Sequence, residues 1–148
     1  MQKEQQIFND FLKAKGLKFT GQRGQILKIF LETKEHLSVE DLYGIVKKKN
    51  PAIGQATVFR TLKLLSGAGI AREINLGDRR ARFEYDYKHH DHLICQSCLK
   101  LIETVDSEIE RLQDALCKKF NFTLTSHKLQ LFGICKECKT KLAKAKHT

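Results

Sequence analysis

Two Cys-x-x-Cys pairs constrain the fold of this chain more than any other feature of its sequence. The pairs are Cys95–Cys98 and Cys135–Cys138. Two thiolates at this spacing can bind one metal ion, and two such pairs complete a tetrahedral site. Zinc is the expected ion because it favours four soft ligands, and its saturated coordination sphere leaves no position for a substrate. The spacing therefore predicts a structural zinc site; two unrelated pairs or a redox dithiol are the alternatives.

The segment between the two pairs, residues 99–134, is longer than a minimal zinc ribbon needs and must contain an element of its own. Apolar residues recur at helical spacing from Ser107 to Phe120, and strands are predicted over 101–105 and 122–131. Ser107 and Glu110 have the spacing of a capping box. The C-terminal half is therefore predicted to be α+β.

Four helices are predicted in the N-terminal half. Thr20 and Ser38 have side chains suited to cap the second and third helices. Val58, Leu62 and Leu65 fall on the apolar face of the fourth helix. The opposite face can hydrogen-bond base edges, contact thymine methyl groups and neutralise phosphates, which suits the major groove of DNA. Its side chains are Gln55, Thr57, Phe59, Arg60 and Lys63.

A β-hairpin is predicted after the fourth helix, from two segments, 70–76 and 81–87, on either side of Gly77 and Asp78. In the second segment, aromatic residues alternate with charged ones. Helices followed by a two-stranded ribbon with arginines near its tip have the order of a winged helix-turn-helix domain. The alternative is a small helical domain with a solvated, arginine-rich hairpin.

The charge balance agrees with a nucleic-acid partner without establishing one. The net charge is +10, from 27 basic and 17 acidic residues, which is in the range of nucleic-acid-binding proteins and also of many lysine-rich surfaces. No apolar run approaches the roughly 20 residues needed to cross a bilayer, and the first residues do not resemble a signal peptide. A cytoplasmic protein without a membrane partner is therefore expected.

Three histidines and an aspartate lie together in the segment His89-His90-Asp91-His92. Alternate side chains of an extended chain point to opposite sides. His90 and His92 therefore share one side, and His89 and Asp91 share the other, which favours two different metal environments. A solvated, histidine-rich linker is the alternative.

Several of these segments, in this order, resemble the ferric uptake regulator (Fur) family: 16–20, 56–62, 89–95 and the second cysteine pair. The resemblance covers nearly the whole chain. It implies a metal-dependent transcription repressor, not an enzyme, that binds a double-stranded DNA operator as a homodimer and has no small-molecule substrate. The implied architecture is α+β, with an N-terminal winged helix-turn-helix DNA-binding domain over 1–86 and a zinc-containing metal-binding and dimerisation domain over 87–148.

The resemblance also implies roles for individual residues. The structural zinc ligands are Cys95, Cys98, Cys135 and Cys138. The regulatory metal ligands are His36, Glu84, His90, His92 and Glu103. A further site, present in some members, corresponds to His89, Asp91, Glu110 and His127. The DNA-binding residues are Lys18, which resembles the family's minor-groove lysine, with Arg23, Thr57, Phe59 and Arg60.

The implied regulatory ligands are nitrogen and oxygen atoms, so iron(II), manganese, cobalt or zinc can bind. The resemblance to the ferric uptake regulator family implies iron(II) as the regulatory ion. Phe59 stands where the family usually has tyrosine, which removes a hydroxyl contact. Peroxide-sensing relatives typically carry aspartate at the positions of Glu84 and Glu103, so the two glutamates favour metal sensing. A peroxide, zinc or manganese sensor, a zinc-dependent hydrolase using the histidine cluster, and a zinc-ribbon RNA-binding or scaffold protein are the alternatives.

Overall fold

The chain divides into two units, Met1–Tyr87 and Lys88–Thr148, and the computed structural model describes residues 1–33, 35–85 and 89–145. Described elements of the N-terminal unit are α1 (Gln2–Ala14), α2 (Gly21–Glu32), β1 (Leu37–Ser38), α3 (Val39–Lys49), α4 (Gln55–Gly67), β2 (Ala71–Asn75) and β3 (Ala81–Tyr85). Those of the C-terminal unit are β4 (Asp91–Cys95), β5 (Leu101–Thr104), α5 (Ser107–Lys119), β6 (Gln130–Gly133) and α6 (Lys136–Ala145).

Side-chain caps begin two helices of the N-terminal unit where the sequence predicts them. The Thr20 hydroxyl accepts a hydrogen bond from the backbone N–H of Arg23 at 3.3 Å. Ser38 and Asp41 form a reciprocal capping box at the start of α3, and the hydrogen bonds from Ser38 hold the pKa of the Asp41 carboxyl below its usual range. Both caps satisfy backbone donors that a helix leaves unpaired at its first turn.

The core of the N-terminal unit lies between its helices and a three-stranded antiparallel sheet of order β1-β3-β2. Val58, Leu62 and Leu65 of α4 are fully buried, as their spacing predicts. The short strand β1 was not predicted, because two residues are too few for a periodic signal; it pairs with β3 through Leu37 and Phe83. Helices followed by the β2–β3 hairpin form a winged helix, which confirms the α+β assignment.

The hairpin differs from a simple amphipathic ribbon. Phe83 and its neighbour Glu84 are both buried, so the predicted alternation does not separate a core face from a solvent face. At the turn, the Arg82 guanidinium donates to both carboxylate oxygens of Asp78, at 2.9 and 2.7 Å, and holds the pKa of Asp78 at about 2. Residues 86 and 87 of the predicted strand, and the predicted domain boundary between them, lie outside the described residues.

In the C-terminal unit, β4 is the central strand of a sheet of order β5-β4-β6, antiparallel to β5 and parallel to β6. A parallel pair needs a long crossover connection, and α5 lies within it. The strand predicted over 122–131 is wrong for most of its length, since β6 begins at Gln130. The pairing of β6 with β4 begins at Gln130 and His92, with one further backbone hydrogen bond from His92 N–H to the Leu129 carbonyl at 3.1 Å. Helix α6 was not predicted.

The predicted capping box of α5 is also wrong. Ser107 is the first helical residue, and Asp106 is the N-cap. The Asp106 carboxylate accepts hydrogen bonds from the backbone N–H groups of Glu108 and Ile109 at 2.9 and 3.1 Å. A carboxylate at this position stabilises the positive end of the helix more strongly than a hydroxyl. Glu110 is therefore not needed as a cap.

The predicted apolar side of α5 is present but is not covered within one chain. Leu112, Leu116 and Phe120 are 54%, 59% and 70% exposed. In the sheet of the same unit, Ile102 of β5 and Phe132 of β6 are also 43% and 48% exposed. No helix among the described residues is long and apolar enough to span a bilayer.

Candidate metal centres and nucleic-acid interface

The four cysteines of the two pairs meet in one cluster, with all four Sγ atoms within 4.8 Å of one another. The parallel β4–β6 pairing places Cys95 opposite Gly133 and so brings the second pair beside the first. The Sγ atoms of Cys98 and Cys135 are 3.8 Å apart, close to the edge of a tetrahedron with zinc–sulfur bonds of about 2.3 Å. The four thiols therefore fit a closed zinc site.

Backbone N–H groups favour the thiolate form of one of these cysteines, Cys95. The N–H of Cys135 donates to Cys95 Sγ at 3.3 Å, and with the N–H of Cys98 it lowers the pKa of Cys95 to about 6. The two cysteine loops are also joined by an ion pair between Lys100 Nζ and Glu137 Oε1 at 2.8 Å. This pair holds the pKa of Glu137 at about 2.

A second cluster consists of two imidazoles and two carboxylates whose donor atoms all lie within 4.8 Å of one another: His89, His127, Asp91 and Glu110. Glu110 Oε1, on the first turns of α5, is 3.1 Å from His89 Nε2 and 3.2 Å from His127 Nε2. Asp91 Oδ1 is 3.5 Å from the same nitrogen of His89. Asp91 is 1% exposed, and neither of its carboxylate oxygens has a hydrogen-bond partner among the described residues. A buried, unsatisfied carboxylate is costly, and a divalent cation fits this donor set.

The predicted regulatory ligands of the N-terminal unit are neighbours. His36 precedes β1 and Glu84 lies on β3, and the pairing of these strands brings His36 Nε2 to 2.7 Å from Glu84 Oε2. The other carboxylate oxygen of Glu84 is 3.7 Å from the Arg72 guanidinium. Arg72 was not identified from the sequence, because its position opposite Glu84 depends on the register of the β2–β3 hairpin.

The predicted regulatory ligands of the C-terminal unit are also neighbours. The rings of His90 and His92 have centroids 4.9 Å apart, and His92 is opposite Glu103 in the β4–β5 pair. His92 is 2% exposed. The alternation predicted for this segment therefore holds, since His89 and Asp91 belong to the other cluster.

The face of α4 opposite the core is exposed, with Phe59 at 45%. Phe59 therefore does not pack inward. Lys63 Nζ lies 5.9 Å from the centre of the Phe59 ring and 2.6 Å from Oε2 of Glu73 on β2. This lysine therefore connects α4 to the hairpin. The Arg23 guanidinium donates to the backbone carbonyl of Lys18, which joins the start of α2 to the loop before it. Thr57 is half-buried and Arg60 is exposed.

A family model described as the ferric uptake regulator family matches residues 14–132. The ferric uptake regulation protein of Campylobacter jejuni is 40% identical over 142 residues, which cover 94% of this chain and 90% of that one. The corresponding protein of Neisseria meningitidis is 38% identical and covers 88% of this chain and 92% of its own. The chain belongs to the ferric uptake regulator family.

Solved structures of Fur proteins have the same fold. The Helicobacter pylori ferric uptake regulator superposes with a TM-score of 0.78 at 31% identity, covering 93% of each chain. A Pseudomonas aeruginosa ferric uptake regulator gives 0.77 at 33% identity, covering 86% of this chain and 97% of that one. The relatives are transcription regulators rather than enzymes, and they include a peroxide-responsive repressor of Staphylococcus epidermidis at 28% identity, covering 86% of this chain and 85% of its own. Family membership therefore identifies a transcription regulator and leaves its metal open.

Two arginines of the β2–β3 hairpin lie beside the exposed face of α4 and were not among the predicted DNA-binding residues. Exposed Arg79 and Arg80 line one groove with Gln55 and Phe59 of α4. Arg79 has a φ of 63°, in the left-handed region. In the sequence, an arginine pair near a glycine-containing turn indicated a wing. It gave no indication that the wing lies close to α4.

We predict that Cys95→Ser and Cys138→Ser each reduce the zinc content of the purified protein from about one ion per chain to well below half, because three thiolates and one hydroxyl bind zinc weakly. The C-terminal unit should melt at a lower temperature, since zinc binding contributes to its folding. Elemental mass spectrometry and thermal unfolding measure both effects. Cys117→Ser, outside the cluster and half-buried, is the matched control and should keep its zinc. Full zinc content with unchanged melting in either cluster variant contradicts the assignment.

Proposed function

We propose that this chain is a metal-dependent transcription repressor that binds operator DNA as a homodimer when a divalent metal, iron(II) first, occupies a regulatory site formed by donors of both units. The observation that carries this proposal is that each unit holds neighbouring metal-binding side chains. His36 and Glu84 are 2.7 Å apart in the unit with the winged helix, and the ring pair His90–His92 lies in the other. Glu103 completes the proposed ligand set.

The proposed mechanism is a restriction of domain position. Without metal, the winged helices of a dimer sample many separations, and only some match half-sites spaced along one face of DNA. When the ion binds, His36 and Glu84 would hold it from the DNA-binding unit. His90, His92 and Glu103 would hold it from the dimerising unit. Changing a mostly incompetent population into a mostly competent one takes about 5.5 kcal/mol of differential affinity. Such a differential is reasonable for five ligands, three of them imidazoles.

Three separate metal sites are proposed, with different roles. Cys95, Cys98, Cys135 and Cys138 hold a structural zinc ion. The regulatory donors contain no thiolate, so iron(II), manganese, cobalt and zinc are all acceptable ions, and cellular availability selects among them. Iron is favoured by the ferric uptake relatives. The cluster of His89, Asp91, Glu110 and His127 is an additional site; the Helicobacter pylori protein is described as having three functional metal binding sites.

The homodimer is supported by the exposed apolar side chains of α5, β5 and β6. Apolar side chains grouped on the surface of a folded unit mark an interaction site. A second copy covers it by placing the same patch against itself, as in a two-fold dimer. The dimer then presents two winged helices to the two halves of an operator, which agrees with a cytoplasmic location at the chromosome.

We predict that His90→Ala and His92→Ala each abolish metal-stimulated DNA binding while leaving zinc content and circular dichroism unchanged. Each variant removes one imidazole from the regulatory donors and none from the thiolate cluster. DNA binding is measured by fluorescence anisotropy with and without Mn²⁺, an ion that does not oxidise readily. Gln130→Ala, opposite His92 in the β4–β6 pair, is the control and should respond to Mn²⁺ normally. Metal-dependent binding by both histidine variants would place the regulatory site elsewhere.

We propose that DNA is contacted by Lys18, Arg23, Thr57, Phe59 and Arg60. Two variants distinguish a residue that reads bases, Phe59, from one that contacts phosphate, Arg23. Phe59→Ala should cost on the order of 1 to 3 kcal/mol on a specific duplex and little on a scrambled one, because its ring reports base identity. Arg23→Gln should weaken binding to both duplexes and reduce the slope of log affinity against log salt by about one. Affinities over a salt series test both variants. Equal losses on both duplexes for Phe59→Ala would refute the recognition role.

A further inference from the structure

The Glu84 carboxylate is shared between two basic side chains of its own unit. Its Oε2 atom is 2.7 Å from His36 Nε2, and its Oε1 atom is 3.7 Å from the Arg72 guanidinium. The side chains of Arg72 and Glu84 are only 9% and 6% exposed. Solvent therefore screens this pair far less than it screens an ion pair on the surface.

The sheet fixes the position of Arg72. Arg72 and Glu84 are directly opposite one another on β2 and β3, and cross-strand neighbours lie on the same face of a sheet. The register of five residue pairs would have to shift to separate them. The contact between Arg72 and Glu84 is therefore fixed by the fold. It engages Oε1 of Glu84, whereas Oε2 faces His36, another proposed metal ligand.

We propose that Arg72 is a resident counter-ion that weakens the regulatory site's affinity for metal and so sets the free-metal concentration at which the repressor responds. This inference rests on the proposed role of Glu84 as a regulatory ligand. A guanidinium stays charged at all physiological pH values, so its charge is present with and without metal. In the metal-free protein it stabilises the buried carboxylate. In the metal-bound protein it repels a cation held by the same carboxylate.

Only one of these terms changes the metal affinity. The attraction between Arg72 and Glu84 is present with and without metal, so it affects the stability of both states. The repulsion between Arg72 and the ion is present only in the bound state, and it is large where the effective dielectric constant is low. A neutral residue at position 72 should therefore tighten metal binding, and a sensor without Arg72 should respond at lower free metal.

The test compares two neutral variants, Arg72→Met and Arg72→Gln, with Arg72→Lys, which keeps the charge. Zinc-loaded full-length protein is titrated with Mn²⁺, and free Mn²⁺ is followed by electron paramagnetic resonance. The relevant binding event is the one that Glu84→Gln removes. We expect both neutral variants to bind Mn²⁺ about tenfold tighter than the wild type or more, and Arg72→Lys to stay within about threefold of it. Without Mn²⁺ the neutral variants should melt lower than the wild type, and Mn²⁺ should raise their Tm by more.

Folded neutral variants with wild-type or weaker Mn²⁺ affinity would overturn the proposal. So would failure of both neutral variants to fold while Arg72→Lys folds, because Arg72 would then serve the fold and not the site. If Glu84→Gln removes no Mn²⁺ binding event from the otherwise wild-type protein, the regulatory site itself is wrong. That result is distinguishable from a failure of the Arg72 proposal, since it appears without any change at position 72.

Discussion

The parallel pairing of β4 with β6 determines where the metal donors of the C-terminal unit lie. It places Cys95 opposite Gly133, which brings the two cysteine pairs together, and it fixes β4, whose first residues carry Asp91 and His92. Two pairings of four residue pairs each give such a small sheet little stability of their own. A zinc ion bound at its end would supply the missing stability, because metal binding free energy is folding free energy when the site is absent from the unfolded chain.

Strand β4 also explains how two nitrogen–oxygen donor sets can lie so close in sequence without merging. Alternation along an extended segment sends His89 and Asp91 to the cluster with Glu110 and His127, and His90 and His92 to the other side. Each set has buried charge that needs compensation. Asp91 lies beside two histidines and another carboxylate, whereas Glu84 lies beside Arg72. The two sets should therefore differ in metal affinity.

The features predicted correctly from the sequence are those that depend on neighbours along the chain: the cysteine pairs, the caps at Thr20 and Ser38, and the buried face of α4. Features that depend on distant pairing were missed. Strand β1 and the start of β6 exist only where a partner strand is available. The α5 cap was misassigned by one residue because Asp106 and Ser107 are both good caps. Arg72 gave no signal, since only the hairpin register reveals it.

The central claim is that a divalent ion on nitrogen and oxygen donors switches the zinc-loaded protein to its DNA-binding form. The most direct measurement is the affinity of the wild-type protein for a duplex selected from a random pool, at fixed salt, with free Fe²⁺, Mn²⁺ or Co²⁺ buffered under anaerobic conditions. The account predicts that affinity rises by about a hundredfold or more as the ion saturates, with zinc content constant. An affinity that is the same with and without each ion would contradict it.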